Sequence, residues 1–200
     1  MTPKIELKGK IFIVSAPSGC GKTTLCKKLL KDKLKLKQSV SITTRPPRRG
    51  ERSGSDYFFV SAEEFIRMID AKELLEYEEN FGFLYGTPKK AVESLLKKNE
   101  SVLLSIDVKG AMNVRKTYPH NSVLIFIMPP SMEELKKRLE SRESDTAKSI
   151  LNRLKVAKQE IAVRDKYDYV VVNDRLDVAY KKLKEIILLE GEKDAGARNR

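Results

Sequence analysis

The sequence predicts an α/β three-layer fold in which helices cover both faces of a parallel sheet. Two observations carry that prediction. The runs Ile11 to Val14, Val102 to Ile106, Val123 to Met128 and Tyr169 to Val172 are apolar throughout rather than alternating, as strands covered on both faces must be. Helical patterns lie between and after them. One runs from Gly21 to Leu30, and another opens at Ser131 with Glu134 three residues on, the reciprocal capping arrangement. From Thr146 to Val163, the residues Ile150, Leu154, Ala157 and Ile161 recur at helical spacing, and Asp177 to Leu188 passes the same test. At 200 residues the chain suits one compact unit with room for a small insertion.

The stretch from about Ser39 to Pro88 breaks the rhythm. RPPRRGERSGS is too rich in Pro, Gly and Arg for regular structure, and short alternating or aromatic runs, DYFFVS and LLEYEENFGFLYG, follow it. Ser61 with Glu64 caps a short helix between them. This reads as a small mixed subdomain, about 39–88, inserted into a core of 9–38 and 89–190. Residues 191–200 carry no apolar periodicity and are expected to be a flexible tail on a single domain of 1–190.

With 40 Lys+Arg against 28 Asp+Glu, the formal charge of +12 favours anionic partners. Much of the excess sits in mixed runs such as KKLLKDKLKLK, which read as solvated helix faces, and no aromatic-interleaved basic stripe marks a nucleic-acid reader. Specific nucleic-acid and membrane partners are therefore not expected. No apolar stretch approaches the roughly 20 residues that cross a bilayer, and the N-terminus lacks the apolar core of a secretory signal, so a cytoplasmic location is expected. Cys20 and Cys26 lie on different helical faces and are not expected to pair. With one histidine, His120, the chain offers no structural zinc set, and any metal should be bound by oxygen.

SAPSGCGKTT, directly after the first apolar run, approximates the phosphate loop G-x-x-x-x-G-K-[ST], with Ala16 where that template has glycine. The backbone N–H groups of such a turn at a helix N-terminus bind phosphate oxygens, which needs a flexible backbone and close approach at Gly19 and Gly21. Lys22 would reach the β- and γ-phosphates, and the Thr23 hydroxyl would bind Mg²⁺. Ala16 costs little if its φ is negative. Asp107, ending the run VLLSID, is placed to reach a metal or substrate across the carboxyl edge of the sheet, or else caps the next turn. These features leave the phosphate acceptor open. Arg45 and Arg48, three apart in a loop and followed by Tyr57, suit a phosphate monoester, because each guanidinium binds its oxygens bidentately.

Here the sequence resembles the guanylate kinases of the bacterial type. Their signature T-[ST]-R-x-P-R-x-G-E-x-x-G-x-D-Y is matched in order from Thr43 to Tyr57, their SAPSG loop also carries Ala in the first position, and the resemblance runs from about Lys10 to Leu189. It implies a P-loop NTPase core with a GMP-binding subdomain at 39–88 and a helical lid at about 138–155. It also implies transfer of the ATP γ-phosphate to GMP with Mg²⁺, with dGMP as a further acceptor. By matching position, ATP would be held by Ala16, Pro17, Ser18, Gly19, Cys20, Gly21, Lys22, Thr23 and Thr24, with Asn173 near adenine. Arg45, Arg48, Tyr57 and Tyr85 would hold the GMP phosphate. Ser41, Glu76 and Thr87 would read guanine, and Asp107 would serve both acceptor binding and catalysis. One carboxylate accepts from guanine N1–H and N2–H₂ together, whereas adenine N1 is an acceptor and would leave Glu76 unpaired. Thr87 could also cap the helix of TPKKAVESLL. The lid arginines Arg138, Arg142 and Arg153 would join Lys22 and Arg45 in stabilising the transferring group.

Three positions depart from the family pattern. Glu143 stands where glycine is usual, Ser105 where an acidic residue is common, and Lys109 where glutamine is usual. Three other readings are weighed, a non-catalytic interaction module, a different nucleoside monophosphate kinase, and a nucleic-acid-binding role that charge alone motivates. Retention of Lys22, Thr23 and the lid arginines opposes the first, and Glu76 opposes the second.

Overall fold

The computed structural model describes residues 9–32, 34–141 and 146–196, the last five as backbone only. In chain order its elements begin with β1 (Ile11–Ser15), α1 (Lys22–Leu30), β2 (Leu36–Gln38), β3 (Ile42–Thr43), β4 (Phe58–Phe59), α2 (Ala62–Asp70), β5 (Leu74–Asn80) and β6 (Phe83–Pro88). They continue with α3 (Lys89–Lys97), β7 (Ser101–Ser105), α4 (Val108–Thr117), β8 (Ser122–Met128), α5 (Met132–Glu140), α6 (Ala147–Ala162), a 3₁₀ turn at Arg164–Lys166, β9 (Tyr169–Val172) and α7 (Leu176–Gly196).

The main sheet has the order β2-β7-β1-β8-β9 and is parallel throughout, with Ile11 opposite Val102 on one side and Ser122 on the other. Successive side chains of the central strand go to opposite faces. Phe12 and Val14 join Leu25 and Leu29 of α1, Leu135 and Leu139 of α5, and Leu183 and Ile187 of α7. Ile11 and Ile13 join Val92 of α3, Ala111 and Val114 of α4, and Tyr167. Both faces are thus covered, the reason the apolar runs do not alternate. The strand order reverses at β1, and in such sheets the crevice outside the carboxyl ends at the reversal takes ligands.

Residues 42–88 form a second sheet, β4-β3-β6-β5, in which β6 runs antiparallel to both neighbours. Ser61 caps α2 by accepting from Glu64 N, and Phe65 of that helix is fully buried. Asn113 of α4 donates to the Glu78 carboxylate, and Lys109 lies 3.7 Å from it, which ties β5 to α4.

Some boundaries differ from the sequence expectation. β9 is an edge strand covered on one face only, with Val170 and Val172 at 40% and 50% exposure. DYFFVS contributes only the two residues of β4. Helix α7 continues to Gly196, into the segment expected as a tail; residues 197–200 lie outside the described part. No helix among the described residues is long and apolar enough to cross a membrane.

Candidate active site

The chain between β1 and α1 ends in Gly21, left-handed at φ 81°. A Cβ there would lie 2.5 Å from Asn173 Nδ2, so both the backbone and the available space require glycine. Ala16 is not among the positive-φ residues, and its substitution for glycine is therefore without strain. The first turn of α1 has no acidic residue and no side-chain cap, which leaves its N–H groups directed at an incoming anion. Lys22 Nζ donates to the carbonyl of Ile106 at 2.9 Å, across the carboxyl end of β7. Burial pushes its pKa down, against the pull of Cys26, Asp107, Glu160 and Glu76.

This loop forms one wall of a cleft of about 350 Å³. Residues 16–24 line it, and Ser41, Arg45, Arg48, Tyr57, Glu76 and Tyr85 face them, with Ser105 and Asp107 at the base and Arg153 and Glu160 from α6. Arg45 is buried, and its Nη2 donates to both oxygens of Glu51 at 2.9 Å. The same carboxylate accepts from Arg48 N at 2.8 Å, so Glu51 fixes the arginine loop. Glu51 lies inside the matched signature, but the spacing alone assigned it no partner. The guanidinium of Arg45 lies 5.5 Å from the ring centre of Tyr57, which meets Tyr85 edge-on at 6.0 Å.

Glu76 on β5 pairs in register with Thr87 on β6. It is only 7% exposed, and Thr87 Oγ1 donates to its Oε1. Burial pushes the carboxyl up to about 7, the Thr87 hydrogen bond opposing and the Asp107 and Glu78 charges adding to the rise. Gly110, in the first turn of α4, makes room for this group, since a methyl there would collide with Glu76 Oε2. Thr87 does not cap α3; that position is Pro88. Asp107 lines the cleft, and its Oδ1 accepts from Gly110 N at 2.9 Å and caps α4.

The arginines of α5 and α6 behave differently. Arg153 Nη1 donates to Ser18 Oγ at 2.7 Å and so reaches the phosphate loop. Arg138 points away from the cleft, to the carbonyls of Asn173 and Asp174, with its Nε on Glu134. Arg142 and Glu143 lie outside the described residues. Asn173 is buried and donates Nδ2 to the carbonyl of Cys20 at 2.8 Å, clamping the loop from the end of β9. Cys20 and Cys26 are both free and buried. Burial pushes the Cys26 thiol up to about 11, against a hydrogen bond with Ser105.

Sequence reasoning passed over Glu160. Its carboxyl lines the cleft and is pushed up to about 7 by burial, with Lys22 opposing and Asp107 reinforcing. Its signal was its place in the α6 periodicity beside Ile161, one position off the apolar stripe.

A nucleotide phosphate chain fits one wall of this cleft and a phosphate monoester the other, the layout of a phosphate-loop kinase acting on a small phosphorylated substrate. Comparison with known proteins narrows that class. The guanylate kinase family pattern matches residues 8–190. The guanylate kinase of Wolbachia pipientis wMel is 47% identical over 94% of this chain and 92% of its own, and that of Caldanaerobacter subterraneus is 44% identical over 93% and 90%. The crystal structure of guanylate kinase from Anaplasma phagocytophilum superposes with a TM-score of 0.79 at 38% identity, covering 94% of this chain and 89% of that one. The chain belongs to the guanylate kinase family, and it is a nucleoside monophosphate kinase that phosphorylates GMP with ATP.

Proposed function

We propose that the two walls divide the reaction between them. Residues 16–24 hold the phosphates of ATP, with Lys22 on the β- and γ-phosphates, while Asn173 keeps the loop in shape beside adenine. Arg45, Arg48, Tyr57 and Tyr85 hold the GMP phosphate, and Ser41, Glu76 and Thr87 read its base. In this reading residues 39–88 are the GMP-binding subdomain and about 138–155 the lid. Arg153 meets the transferring phosphoryl group. Phosphoryl transfer asks a protein mainly for position and for positive charge around that group, and Lys22, Arg45 and Arg153 supply both.

Mg²⁺ fits this site. Among the described residues no three of His, Cys, Asp and Glu form a metal-binding group, and the metal of a phosphate-loop kinase takes most of its ligands from phosphate and water. Thr23 and Asp107 both line the cleft, and the Thr23 hydroxyl would hold the metal together with phosphate and water. Bound there, Mg²⁺ would neutralise charge on the β- and γ-phosphates.

Glu76 carries the choice of acceptor. It is a buried carboxylate with one oxygen tied to Thr87, directed at the cleft and wedged against Gly110. A carboxylate so held accepts from both guanine donors and is left unpaired by adenine. With ATP and a panel of nucleoside monophosphates, Glu76→Gln should lower kcat/KM for GMP by about 100-fold and shrink the GMP-over-AMP ratio, because the lost acceptor unpairs a substrate donor. An unchanged ratio would remove Glu76 from base readout.

A further inference from the structure

The β5–β6 hairpin closes through Phe81 and Gly82, with φ of 52° and 78°. Asn80 pairs with Phe83, so this is a two-residue loop with both central residues left-handed, the type I′ pattern for which Asn-Gly is the unstrained sequence. A phenylalanine in the first position carries backbone strain that asparagine avoids. It is also poorly buried, at 42% exposure, so packing does not account for it.

The ring does make one specific contact. The guanidinium of Arg153 lies over it, 4.9 Å from the ring centre. That same guanidinium donates to Ser18 Oγ in the phosphate loop. The tip of the acceptor-side hairpin therefore reaches, through one arginine, the loop on the donor side.

We propose that Phe81 is a positioning residue for phosphoryl transfer, its ring holding Arg153 against the phosphate loop. The hairpin carrying Glu76 and Tyr85 thereby sets an arginine at the donor phosphates. This rests on the reading above in which Arg153 meets the transferring group. An arginine on an exposed helix face is hydrated and samples many rotamers, and an aromatic face on one side with a hydroxyl on the other confines it. Seating GMP on β5 and β6 steadies the hairpin, and through Phe81 it steadies the arginine. Strain at the turn is retained because the turn residue has a task across the cleft.

Phe81→Asn separates that task from the fold, because asparagine suits the turn better and lacks the ring. The expected result is a melting temperature no lower than wild type, a KM for GMP within about twofold, and a kcat reduced about 3- to 30-fold, the range of a cation–π contact converted to rate. Phe81→Leu, which keeps apolar bulk without the aromatic face, should fall equally, and Phe81→Trp should stay within about threefold of wild type. In an Arg153→Ala background, Phe81→Asn should change kcat by less than about twofold, since residues acting as a unit are not additive. Full kcat in Phe81→Asn or Phe81→Leu, or independent multiplication of the two effects, would overturn the inference while leaving Arg153 in place. Unchanged kcat in Arg153→Ala alone would overturn the assignment of that arginine, and this inference with it.

Discussion

The donor wall of the cleft is made of backbone, whereas the acceptor wall is made of side chains. Residues 16–21 span from a fully buried strand to a helix, and their shape is set from outside by Asn173 on the Cys20 carbonyl. Across the cleft, Arg45 is set by Glu51, and Glu76 by Thr87. Each wall also has a glycine pressed by a polar side chain, Gly21 by Asn173 and Gly110 most closely by Glu76. The two glycines fail for different reasons. Gly21 is left-handed, so any side chain strains the backbone that is itself the binding group. Gly110 is an ordinary helical residue, and substitution there displaces the Glu76 carboxylate first, with Asp107 Oδ1 next at 3.3 Å. A backbone site is insensitive to most side-chain changes, and a side-chain site can lose specificity while the fold stays intact.

The sharpest test of that division is Lys22, the side chain that the donor wall itself brings to the transferring phosphates. Lys22→Met keeps the apolar stem and removes a buried charge, so the protein should fold with an unchanged or higher melting temperature and bind GMP as before. Turnover in a coupled ADP assay should fall about 100- to 1,000-fold, the scale on which a single preorganised transition-state donor acts. A rate near wild type would break the division at its strongest point.

A smaller effect is expected at Gly110. Alanine there is worth up to about 1 kcal/mol to the helix, which offsets part of the cost of shifting the buried Glu76 carboxylate, so Gly110→Ala should stay folded with a melting temperature within several degrees of wild type. Its methyl displaces the Glu76 carboxylate, and kcat/KM for GMP should drop about 10- to 100-fold, as misplacement on the ångström scale costs, while KM for ATP stays unchanged. A parallel rise in both KM values would mean that the walls are mechanically joined through α4 and are not separable.

How much of this was legible beforehand follows the same line. The central strands and the phosphate loop are local patterns, and Ile11 to Val14 followed by SAPSGCGKTT announces both. Two caps written in single residues, Ser61 and Ser131, are also where the sequence puts them. What escaped depends on partners distant in the chain. Nothing near Val170 tells that β9 ends the sheet and leaves one face open. Arg138 comes from likeness to the family's lid, and nothing in the spacing tells that its guanidinium donates to the carbonyls of Asn173 and Asp174, 35 and 36 residues away. Asn173 clamps a loop 153 residues earlier, a relation no spacing announces. The acceptor residues were reached through the signature and family likeness, because a site assembled from side chains on several short strands has no periodicity of its own.

Glu76 also makes binding and stability respond oppositely to pH. Its carboxyl is held up at about 7 by burial, far above an ordinary glutamate, so the folded free enzyme keeps the neutral form in quantity at neutral pH and favours it below about 7. Because the folded value lies above the unfolded one, its contribution to stability is full below about pH 4.5 and is lost as pH rises through about 7, up to about 3 kcal/mol. Guanine needs the opposite state, since its two donors are accepted by a carboxylate. From pH 8 to pH 6 the affinity for GMP should therefore weaken about tenfold more in the wild type than in Glu76→Gln, where the phosphate of GMP and the Glu160 carboxyl titrate in common. Over the same interval the melting temperature of Glu76→Gln relative to wild type should be highest at pH 8 and converge at acid pH. Calorimetry at pH 6.5 adds a direct reading, proton release on GMP binding to the wild type that exceeds the release from the variant. Equal proton release by the two proteins would show that the carboxyl does not change its ionisation when GMP binds, and the acceptor wall would then be as preset as the donor wall facing it.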